Sequence, residues 1–330
     1  MTRSFPSAFL LRLRPASALA RIASAVVLLI SAGCGALIGV RPLSAARPGL
    51  TTYHTIEIAG RSRSFLLHLP PAAAAGVPLP LVLMFHGYQG NGATLMAESR
   101  MNDAADRAGY AVAYPDGSGR FKYAWLSWNA VSCCGVVAER HVDDIGFADA
   151  IVRRLVSAGR VNPDRVYAAG FSAGGMIALR LACTRARAYA AVADVAGAMP
   201  DTACVPARAV PTILFQGEDD SDLRDDQSVH KHHKAFPWST SLEKALDFWA
   251  RIGKCEPGHL RDTTSAYIRQ RARECPDGMD VTLITVHHHP HAWPGGESAF
   301  PFGSQPAPEP DASAMILEFF SRYALDGAER

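Results

Sequence analysis

The residue best suited to covalent chemistry is Ser172, which stands in the glycine-rich run Gly170-Phe171-Ser172-Ala173-Gly174-Gly175. A short apolar segment precedes this run, and a segment with helical periodicity follows it. Strand, tight turn and helix in that order form a nucleophile elbow, in which the turn strains the serine backbone and leaves no room for side chains at the flanking glycines. The sequence therefore predicts Ser172 as a nucleophile. The alternative is a glycine-rich turn that only enters a packed helix.

A serine hydroxyl needs a general base, and the base needs a carboxylate to orient it. In the fold that carries such elbows the chain order is serine, acid, histidine, each after a later strand. The apolar run 211–215 is followed by four candidate acids, and the run 281–286 by four candidate histidines. The candidates are Glu218, Asp219, Asp220 and Asp222 for the acid, and His287, His288, His289 and His291 for the base. Residue types alone do not choose among them.

Two backbone N–H groups are also needed, to bind the oxyanion of a tetrahedral intermediate. The first is expected from Ala173, directly after the serine. The second is expected from the loop after the apolar strand 79–85, which reads His86-Gly87-Tyr88-Gln89-Gly90, and Tyr88 is the candidate donor. His86 itself is expected to be a structural hydrogen-bonding residue rather than a second base, because a histidine already follows the acid in the expected order.

The elements that must position these residues alternate along the chain. Two strand patterns separated by Gly60 predict an antiparallel hairpin. Apolar runs then alternate with amphipathic segments, which predicts a single α/β domain over residues 51–330 with a mostly parallel sheet and helices on both faces. The segments 216–242 and 257–280 look irregular and are candidates to cover the site. The expected strands are 53–58, 64–69, 79–85, 111–114, 165–169, 190–195, 211–215 and 281–286, and the expected helices are 95–108, 142–158, 173–183, 242–252 and 312–323.

Residues 1–50 have the pattern of an export signal followed by a linker. They contain six arginines and no acidic residue, and four of the arginines precede the apolar stretch 22–30. The next residues, Ser31-Ala32-Gly33-Cys34, match part of a bacterial lipoprotein box, which makes Cys34 a candidate for lipidation. Ordinary cleavage near residues 43–45 and an uncleaved anchor over 22–40 are the alternatives. We therefore expect an extracellular, periplasmic or lipid-anchored envelope protein that meets a membrane only through this segment.

The seven cysteines agree with export, because six remain once Cys34 is set aside and an oxidising compartment allows three disulfides. The local pairs Cys183–Cys204 and Cys255–Cys275 are the expected bridges. Cys133 and Cys134 are adjacent, so a bridge between them would be strained and two free thiols are the alternative. The cysteine spacing does not match a zinc site.

Composition and charge exclude several classes of protein. Of the 330 residues, 48% are hydrophobic and 19% are charged, which is typical of a globular domain. Residues 51–330 carry a net charge of −4, so no nucleic-acid partner is expected. No cofactor is expected, and no metal is expected at the histidines 287–291, because strand alternation and Pro290 would scatter their side chains. A histidine-rich metal-binding lipoprotein is kept as an alternative, and the oligomeric state is left open.

Several motifs resemble those of one known family. They are His86-Gly87-Tyr88 through Asn91, Tyr114-Pro115-Asp116-Gly117, Trp128-Asn129 with Cys133-Cys134-Gly135, Val142-Asp143-Asp144-Ile145-Gly146-Phe147, and the turn around Ser172. Over about residues 78–296 the chain resembles the polyhydroxybutyrate depolymerase and feruloyl esterase family of secreted α/β-hydrolases. Its leader is similar to that of the LpqC-type depolymerase lipoproteins. The resemblance implies an α/β-hydrolase fold and a serine esterase.

The resemblance also implies which acid and which base act. The acid of the family lies in a His-Gly-Thr-x-Asp stretch, and residues 216–220, Gln-Gly-Glu-Asp-Asp, fit that frame with Asp220 as the acid. The base lies in a Gly-His-Thr-Trp-Pro-Gly stretch, which residues 290–295 fit with His291 as the base. The departures from both stretches remove no catalytic group. Asp219 stays as a rival acid.

The expected activity is hydrolysis of short-chain, hydroxyalkanoate (3-hydroxybutyrate oligomer) or phenolic (feruloyl-type) esters through an acyl-enzyme on Ser172. The expected partners are small-molecule or oligomeric esters, and the lack of a visible polymer-binding module favours soluble ones. Trp128 and Trp293 are candidate substrate-binding residues at the mouth of the site; packing beneath loops is the alternative. A catalytically silent envelope-binding protein on the same scaffold is the second hypothesis.

Overall fold

The computed structural model describes residues 50–58, 60–121, 123–131, 136–199, 201, 203–221, 242–298 and 304–326. These ranges include Ser172, Asp220, His291 and the loop 86–90. The expected export segment with Cys34, the adjacent Cys133 and Cys134, and the candidate acid Asp222 lie outside the described residues.

The strands of the described chain form one large sheet and one small ribbon. The large sheet has ten strands in the spatial order β1-β2-β4-β3-β7-β8-β9-β12-β11-β10, and β5 pairs with β6 apart from it. The strands are β1 Leu50–Ile58, β2 Arg61–Leu69, β3 Leu79–Phe85, β4 Ala111–Pro115, β5 Ser118–Gly119, β6 Leu126–Ser127, β7 Val161–Phe171, β8 Ala191–Val195, β9 Thr212–Gly217, β10 Glu256–Thr263, β11 Tyr267–Arg273 and β12 Val281–Val286.

The middle of the sheet is parallel and its two edges are antiparallel. β4, β3, β7, β8, β9 and β12 run in one direction, whereas β1 and β2, and likewise β10 and β11, join by antiparallel pairing. Every residue of β3, β4 and β8 is buried, because helices cover both faces of a parallel sheet and leave no solvent side. The wholly apolar runs and the first hairpin are thus confirmed as strands.

Helices pack on both faces of the sheet. They are α1 Gly92–Ser99, α2 Met101–Ala108, α3 Val136–Glu139, α4 Asp144–Ser157, α5 Ala173–Thr184, α6 Leu242–Ile252 and α7 Ala312–Ser321. The apolar residues of α4, α5 and α6 form a core with one face of the sheet, and those of α1, α2 and α7 form a second core with the other face. α4 begins directly after Asp143, whose carboxylate caps the helix by accepting the N–H of Gly146 at 2.7 Å.

The helix predicted over 95–108 is wrong as a single element. Its first part begins earlier, at Gly92, because the Asn91 side chain accepts the N–H of Thr94 at 2.9 Å. The chain then breaks at Arg100, whose φ of 51° lies in the left-handed region and separates α1 from α2. A left-handed residue ends a helix, and glycine is its usual occupant, so an arginine there gives no sequence signal.

The prediction that residues 257–280 are an irregular covering segment is also wrong. They contain β10 and β11, which continue the sheet beyond β12 rather than lie over its end. Most of their side chains are exposed, so no apolar alternation marks them as strands. β10 is itself irregular: its register with β11 shifts between Glu256 and His259, around Gly258 with φ 94°.

Both locally predicted disulfides are confirmed. Cys183 pairs with Cys204, and Cys255 pairs with Cys275, closing the β10–β11 hairpin at its base. Within the described ranges, none of the helices combines the length and the apolar character needed to cross a membrane.

Candidate active site

Ser172 stands on a strained turn between β7 and α5. Its φ of 54° and ψ of −120° lie in a region that residues with side chains rarely adopt, and its N–H donates to the Val195 carbonyl at 2.8 Å. A Cβ on Gly170 would overlap the backbone of Gly174, and a Cβ on Gly174 would overlap the Phe85 carbonyl. The glycines are therefore needed because strand and helix approach too closely for side chains.

Four parallel strands bring the predicted residues to one edge of the sheet. The loop 86–90 follows β3, Ser172 follows β7, Asp220 follows β9 and His291 follows β12. These strands share one direction, so their carboxyl ends meet at the same edge, where ligands bind in open α/β sheets.

His291 and Asp220 form a hydrogen-bonded pair at this edge of the sheet. His291 Nδ1 lies 2.8 Å from Asp220 Oδ2, and Asp220 is only 2% exposed. An ionised carboxylate can only accept, so this bond places the proton on Nδ1 and leaves Nε2 as an acceptor. The phenyl ring of Phe171 packs 4.9 Å from the imidazole, centroid to centroid, and helps to fix the orientation of that ring.

The neighbouring acids are engaged elsewhere. Glu218 accepts from His287 at 2.9 Å, and this hydrogen bond lowers the pKa of Glu218. The Asp219 carboxylate lies 4.0 Å from the ring of His288, whose side chain is 91% exposed. In the structure the partner of His291 is Asp220.

His289 links the loop that carries His291 to the rest of the protein. The Ala307 N–H donates to His289 Nδ1 at 3.0 Å, so Nε2 carries the proton and donates to the Ala292 carbonyl at 3.1 Å. Burial lowers the pKa of His289, which favours this neutral form. The four histidines thus point to different partners, and within the described ranges no cluster of three or more histidine, cysteine or acidic residues could hold a metal ion.

Ser172 and His291 line the same cavity, which has a volume of about 310 Å³. The loop 86–90 and α1 form one side of this cavity, and the segment 291–298 forms the other. Its wall mixes apolar surface from Phe171 and Trp293 with polar groups from Thr94 and Glu98. Apolar cavities with a few convergent polar groups are typical of small-molecule sites.

The two expected oxyanion donors flank this cavity. Gly87 lies against the serine, since a Cβ on Gly87 would stand 3.5 Å from Ser172 Cβ, and Tyr88 follows it in the cavity wall. The next N–H, that of Gln89, is used by the Leu126 carbonyl at 2.8 Å. Ala173 is the first residue of α5, where backbone N–H groups have no partner within the helix and the helix dipole favours an anion.

His86 has a structural role. Its Nε2 accepts the Gly117 N–H at 2.9 Å, so Nδ1 is protonated and donates to the Gly87 carbonyl at 2.7 Å. Burial lowers the pKa of His86 to about 4, so the ring is neutral at pH 7. It fixes the loop that carries Tyr88.

The expectation that Trp128 binds substrate is corrected, because Trp128 is not among the residues that line the cavity. Its side chain is 0% exposed, its Nε1–H donates to the His86 carbonyl at 2.8 Å, and its ring packs edge-on against Phe85 at 5.2 Å. Trp128 therefore supports the loop from beneath. Trp293 does line the cavity, although its Nε1–H is taken by Ser313 Oγ at 3.1 Å.

Sequence analysis missed two acids close to the site. Glu98 on α1 lines the cavity, and burial raises its pKa to about 7. Asp194 on β8 is completely buried beneath the elbow, where a Cβ on Gly175 or Gly197 would overlap its carboxyl group. An acid within a fully apolar strand pattern, Ala-Val-Ala-Asp-Val, is the signal that could have revealed Asp194. Glu98, one helical turn after Thr94, gives no such signal.

Comparisons with known proteins agree with this geometry. The family model described as "Esterase PHB depolymerase" matches residues 63–221. The chain is 34% identical over 274 residues to "Putative esterase NocK" of Nocardia uniformis subsp. tsuyamanensis, covering 76% of each chain. It is 27% identical over 250 residues to feruloyl esterase B of Piromyces equi, covering 74% of this chain but only 45% of that protein. Its fold is similar to the acetyl xylan esterase of Aspergillus awamori, with a TM-score of 0.55, 13% identity, and 82% and 99% of the two chains covered.

The sheet order, the elbow and the fold similarity define an α/β-hydrolase, and its relatives make it a carboxylic-ester hydrolase. More narrowly, the chain belongs to the polyhydroxybutyrate depolymerase and feruloyl esterase family.

Proposed function

We propose that the protein is an exported serine carboxylesterase in which Ser172, His291 and Asp220 form the catalytic triad. The observation that carries the proposal is the 2.8 Å bond between His291 Nδ1 and Asp220 Oδ2, in a loop whose histidine lines one cavity with the strained Ser172. That bond keeps Nε2 free of a proton, which is the state a general base requires.

The reaction has two halves. His291 Nε2 takes the Ser172 proton as Oγ attacks the ester carbonyl, and the same imidazole then protonates the leaving alcohol. A water molecule, activated by His291, then attacks the acyl-enzyme and restores Ser172. Asp220 stabilises the imidazolium in both halves, and the N–H groups of Tyr88 and Ala173 bind the oxyanion.

The proposed substrates are short-chain, hydroxyalkanoate or phenolic esters, in soluble or oligomeric form. A cavity of about 310 Å³ is at the small end for ligand sites, which favours a short acyl group over a long lipid chain. Trp293 is the proposed aromatic contact for the substrate within the cavity. A relative named feruloyl esterase B supports the phenolic class, and the family description supports hydroxyalkanoate esters.

Export is part of the proposal. The arginine-rich leader with its apolar stretch supports secretion, and the two disulfides are consistent with an oxidising compartment. Cys34 is the proposed site of lipidation. Incorporation of labelled palmitate into the full chain in a bacterial host, lost in Cys34→Ala, would support the anchor; unlabelled full chain would overturn it.

The decisive experiment is Ser172→Ala in the leader-free protein. If the triad acts as a unit, hydrolysis of p-nitrophenyl butyrate should fall by roughly 10⁶-fold, and labelling by a fluorophosphonate should disappear. Unchanged hydrolysis by the folded variant would refute the role of Ser172. If the parent protein neither hydrolyses a panel of aryl, feruloyl and 3-hydroxybutyrate esters nor takes the label, it is a silent binding protein instead.

A further inference from the structure

Glu98 brings a carboxyl group into the cavity that holds Ser172 and His291. It lies on α1 one turn after Thr94, and residues four apart on a helix share a face; both line the cavity. Leu95 and Ser99, each one residue further along the helix, are buried in the protein. The helix therefore directs Glu98 toward the space that the substrate would occupy.

The position of Glu98 is tied to the loop that carries His291. The Glu297 N–H donates to the Glu98 carbonyl at 2.9 Å, and a Cβ on Gly296 would overlap the same oxygen. Next to it, the Ser99 carbonyl accepts from Ser313 Oγ at 2.6 Å. The backbone at the end of α1 is thus joined to the loop that carries His291, which places Glu98 beside that loop.

The electrostatic surroundings of Glu98 are unusual for a carboxylate. The residue is half-buried. Burial raises its pKa to about 7, although the charge of the nearby His291 acts to lower the pKa. Among the described residues no side chain donates a hydrogen bond to its carboxyl group. The remaining titratable or charged groups around Glu98 are Glu297, which lies 4.0 Å from Arg100 Nε; Asp103, which pairs with Arg100; Tyr88 at the rim; and Asp220 behind His291.

We propose that Glu98 is a specificity-determining residue that makes this esterase select uncharged esters over esters that carry a carboxylate. The inference rests on the proposed function, because it assumes that the ester is hydrolysed in this cavity. A carboxylate of Glu98 repels a second carboxylate in the same partly desolvated space. Apart from the imidazole of His291, none of the described residues in the cavity wall can carry a positive charge to offset it. The neutral carboxyl form, by contrast, can donate a hydrogen bond to a substrate hydroxyl or carbonyl oxygen.

The selection should depend on pH with a definite sign. Below pH 7 Glu98 is mostly neutral, and charged and uncharged esters differ little. Above pH 7 it is ionised, and the charged ester is disfavoured by about tenfold, the size expected for two unit charges several ångströms apart at a partly solvated site. The preference for the uncharged ester should therefore rise as pH increases through about 7.

The experiment uses two pairs of isosteric substrates. One pair is the 3-hydroxybutyrate dimer and its terminal carboxamide, which differ in charge on the alcohol part. The other is monomethyl adipate and methyl adipamate, which differ in charge on the acyl part. For each pair, kcat/KM of the uncharged ester is divided by kcat/KM of the charged ester, and this ratio is measured from about pH 5.5 to 8.5. Titration of His291 affects both members equally, so it cancels from the ratio.

In the parent protein the ratio should rise about tenfold across pH 7 for at least one pair, and in Glu98→Gln and Glu98→Ala it should be low and independent of pH. A flat ratio in the parent, or a rise that persists in both variants or vanishes only in Glu297→Gln, overturns the inference. None of these outcomes contradicts the role of Ser172 in hydrolysis. Failure of the proposed function would instead appear as unchanged hydrolysis by the Ser172→Ala variant.

Discussion

Asp219 and Asp220 are adjacent in sequence but have different surroundings. Asp220 is 2% exposed and bonded to His291 at 2.8 Å, whereas the Asp219 side chain is 56% exposed beside the solvent-facing His288. The backbone explains the difference, because the Asp219 N–H donates to the His289 carbonyl at 3.0 Å. That bond fixes the turn so that only the following residue faces the imidazole.

At this scale we predict that Asp220→Asn lowers kcat/KM for p-nitrophenyl butyrate by roughly 10⁴-fold, because an amide cannot hold His291 in the tautomer that accepts the serine proton. Asp219→Asn is the matched control and should stay within about threefold of the parent. Steady-state kinetics of the two folded variants decides the assignment, and the reverse order of damage would make Asp219 the acid.

Individual site residues were predictable where the chain order is constrained. Ser172 could be found from its glycines, but choosing among four acids and four histidines required the family resemblance. Trp128 shows the limit of sequence reasoning. Both Trp128 and Trp293 are buried in the structure, and only the course of the cavity, which Trp293 lines and Trp128 does not, separates them. Glu98 could not be found because its role depends on a contact with a loop about 200 residues later.

At the scale of elements, the elbow is built over a buried acid. Asp194 is opposite Gly170 in the pairing of β7 with β8, and its carboxyl group lies against Gly175 at the start of α5. Burial raises its pKa well above the usual range, and only the Gly197 N–H opposes this shift. Folding therefore favours the protonated form of Asp194 relative to the unfolded chain.

This asymmetry predicts how stability changes with pH. A raised native pKa means that the native state binds more protons, so the contribution of Asp194 to the free energy of unfolding falls as pH rises above about 4. In Asp194→Asn, which keeps the shape but cannot ionise, that loss is absent. In urea unfolding, the free energy of unfolding of the variant should therefore increase relative to that of the parent, by up to about 1.4 kcal/mol per pH unit, as the pH rises above about 4.

The exposed Asp326→Asn serves as control and should follow the parent at every pH. Parallel stability curves for the parent and Asp194→Asn would mean that the carboxyl group of Asp194 is not held neutral in the folded protein.

Helices and strands were predictable where their burial requires a recognisable pattern of apolar residues in the sequence. β3, β4 and β8 are apolar throughout because both faces are covered. β10 and β11 were missed because they are mostly exposed, and their pairing comes from backbone hydrogen bonds and the Cys255–Cys275 bridge. The break at Arg100 was missed because the backbone conformation there is imposed by the packing around α1 and α2.

At the scale of the whole molecule, the bridge between Cys255 and Cys275 lies away from the active-site cavity. It closes a loop with a sequence separation of 20, for which loop-closure entropy gives about 3 kcal/mol of stabilisation. We predict that the double variant Cys255→Ser, Cys275→Ser loses about 2–4 kcal/mol of unfolding free energy in urea while retaining kcat/KM for p-nitrophenyl butyrate.

Treatment with dithiothreitol gives the control. Of the two described bridges it reduces both in the parent but only Cys183–Cys204 in the double variant, so the difference in stability between the two proteins should disappear. A double variant with full stability but impaired hydrolysis would show that the hairpin contributes to the site, contrary to its position in the sheet.

The irregular β10 has a consequence for how these molecules behave when crowded. An outermost strand with free backbone groups invites a neighbouring copy to add its own strand, and repeated addition leads to fibrils. Here the shift around Gly258 interrupts the row of available N–H and C=O groups, Pro257 has no N–H to offer, and the charged Arg261 and Asp262 face solvent. The outer edge at β10 thus carries its own protection against aggregation between copies of the protein.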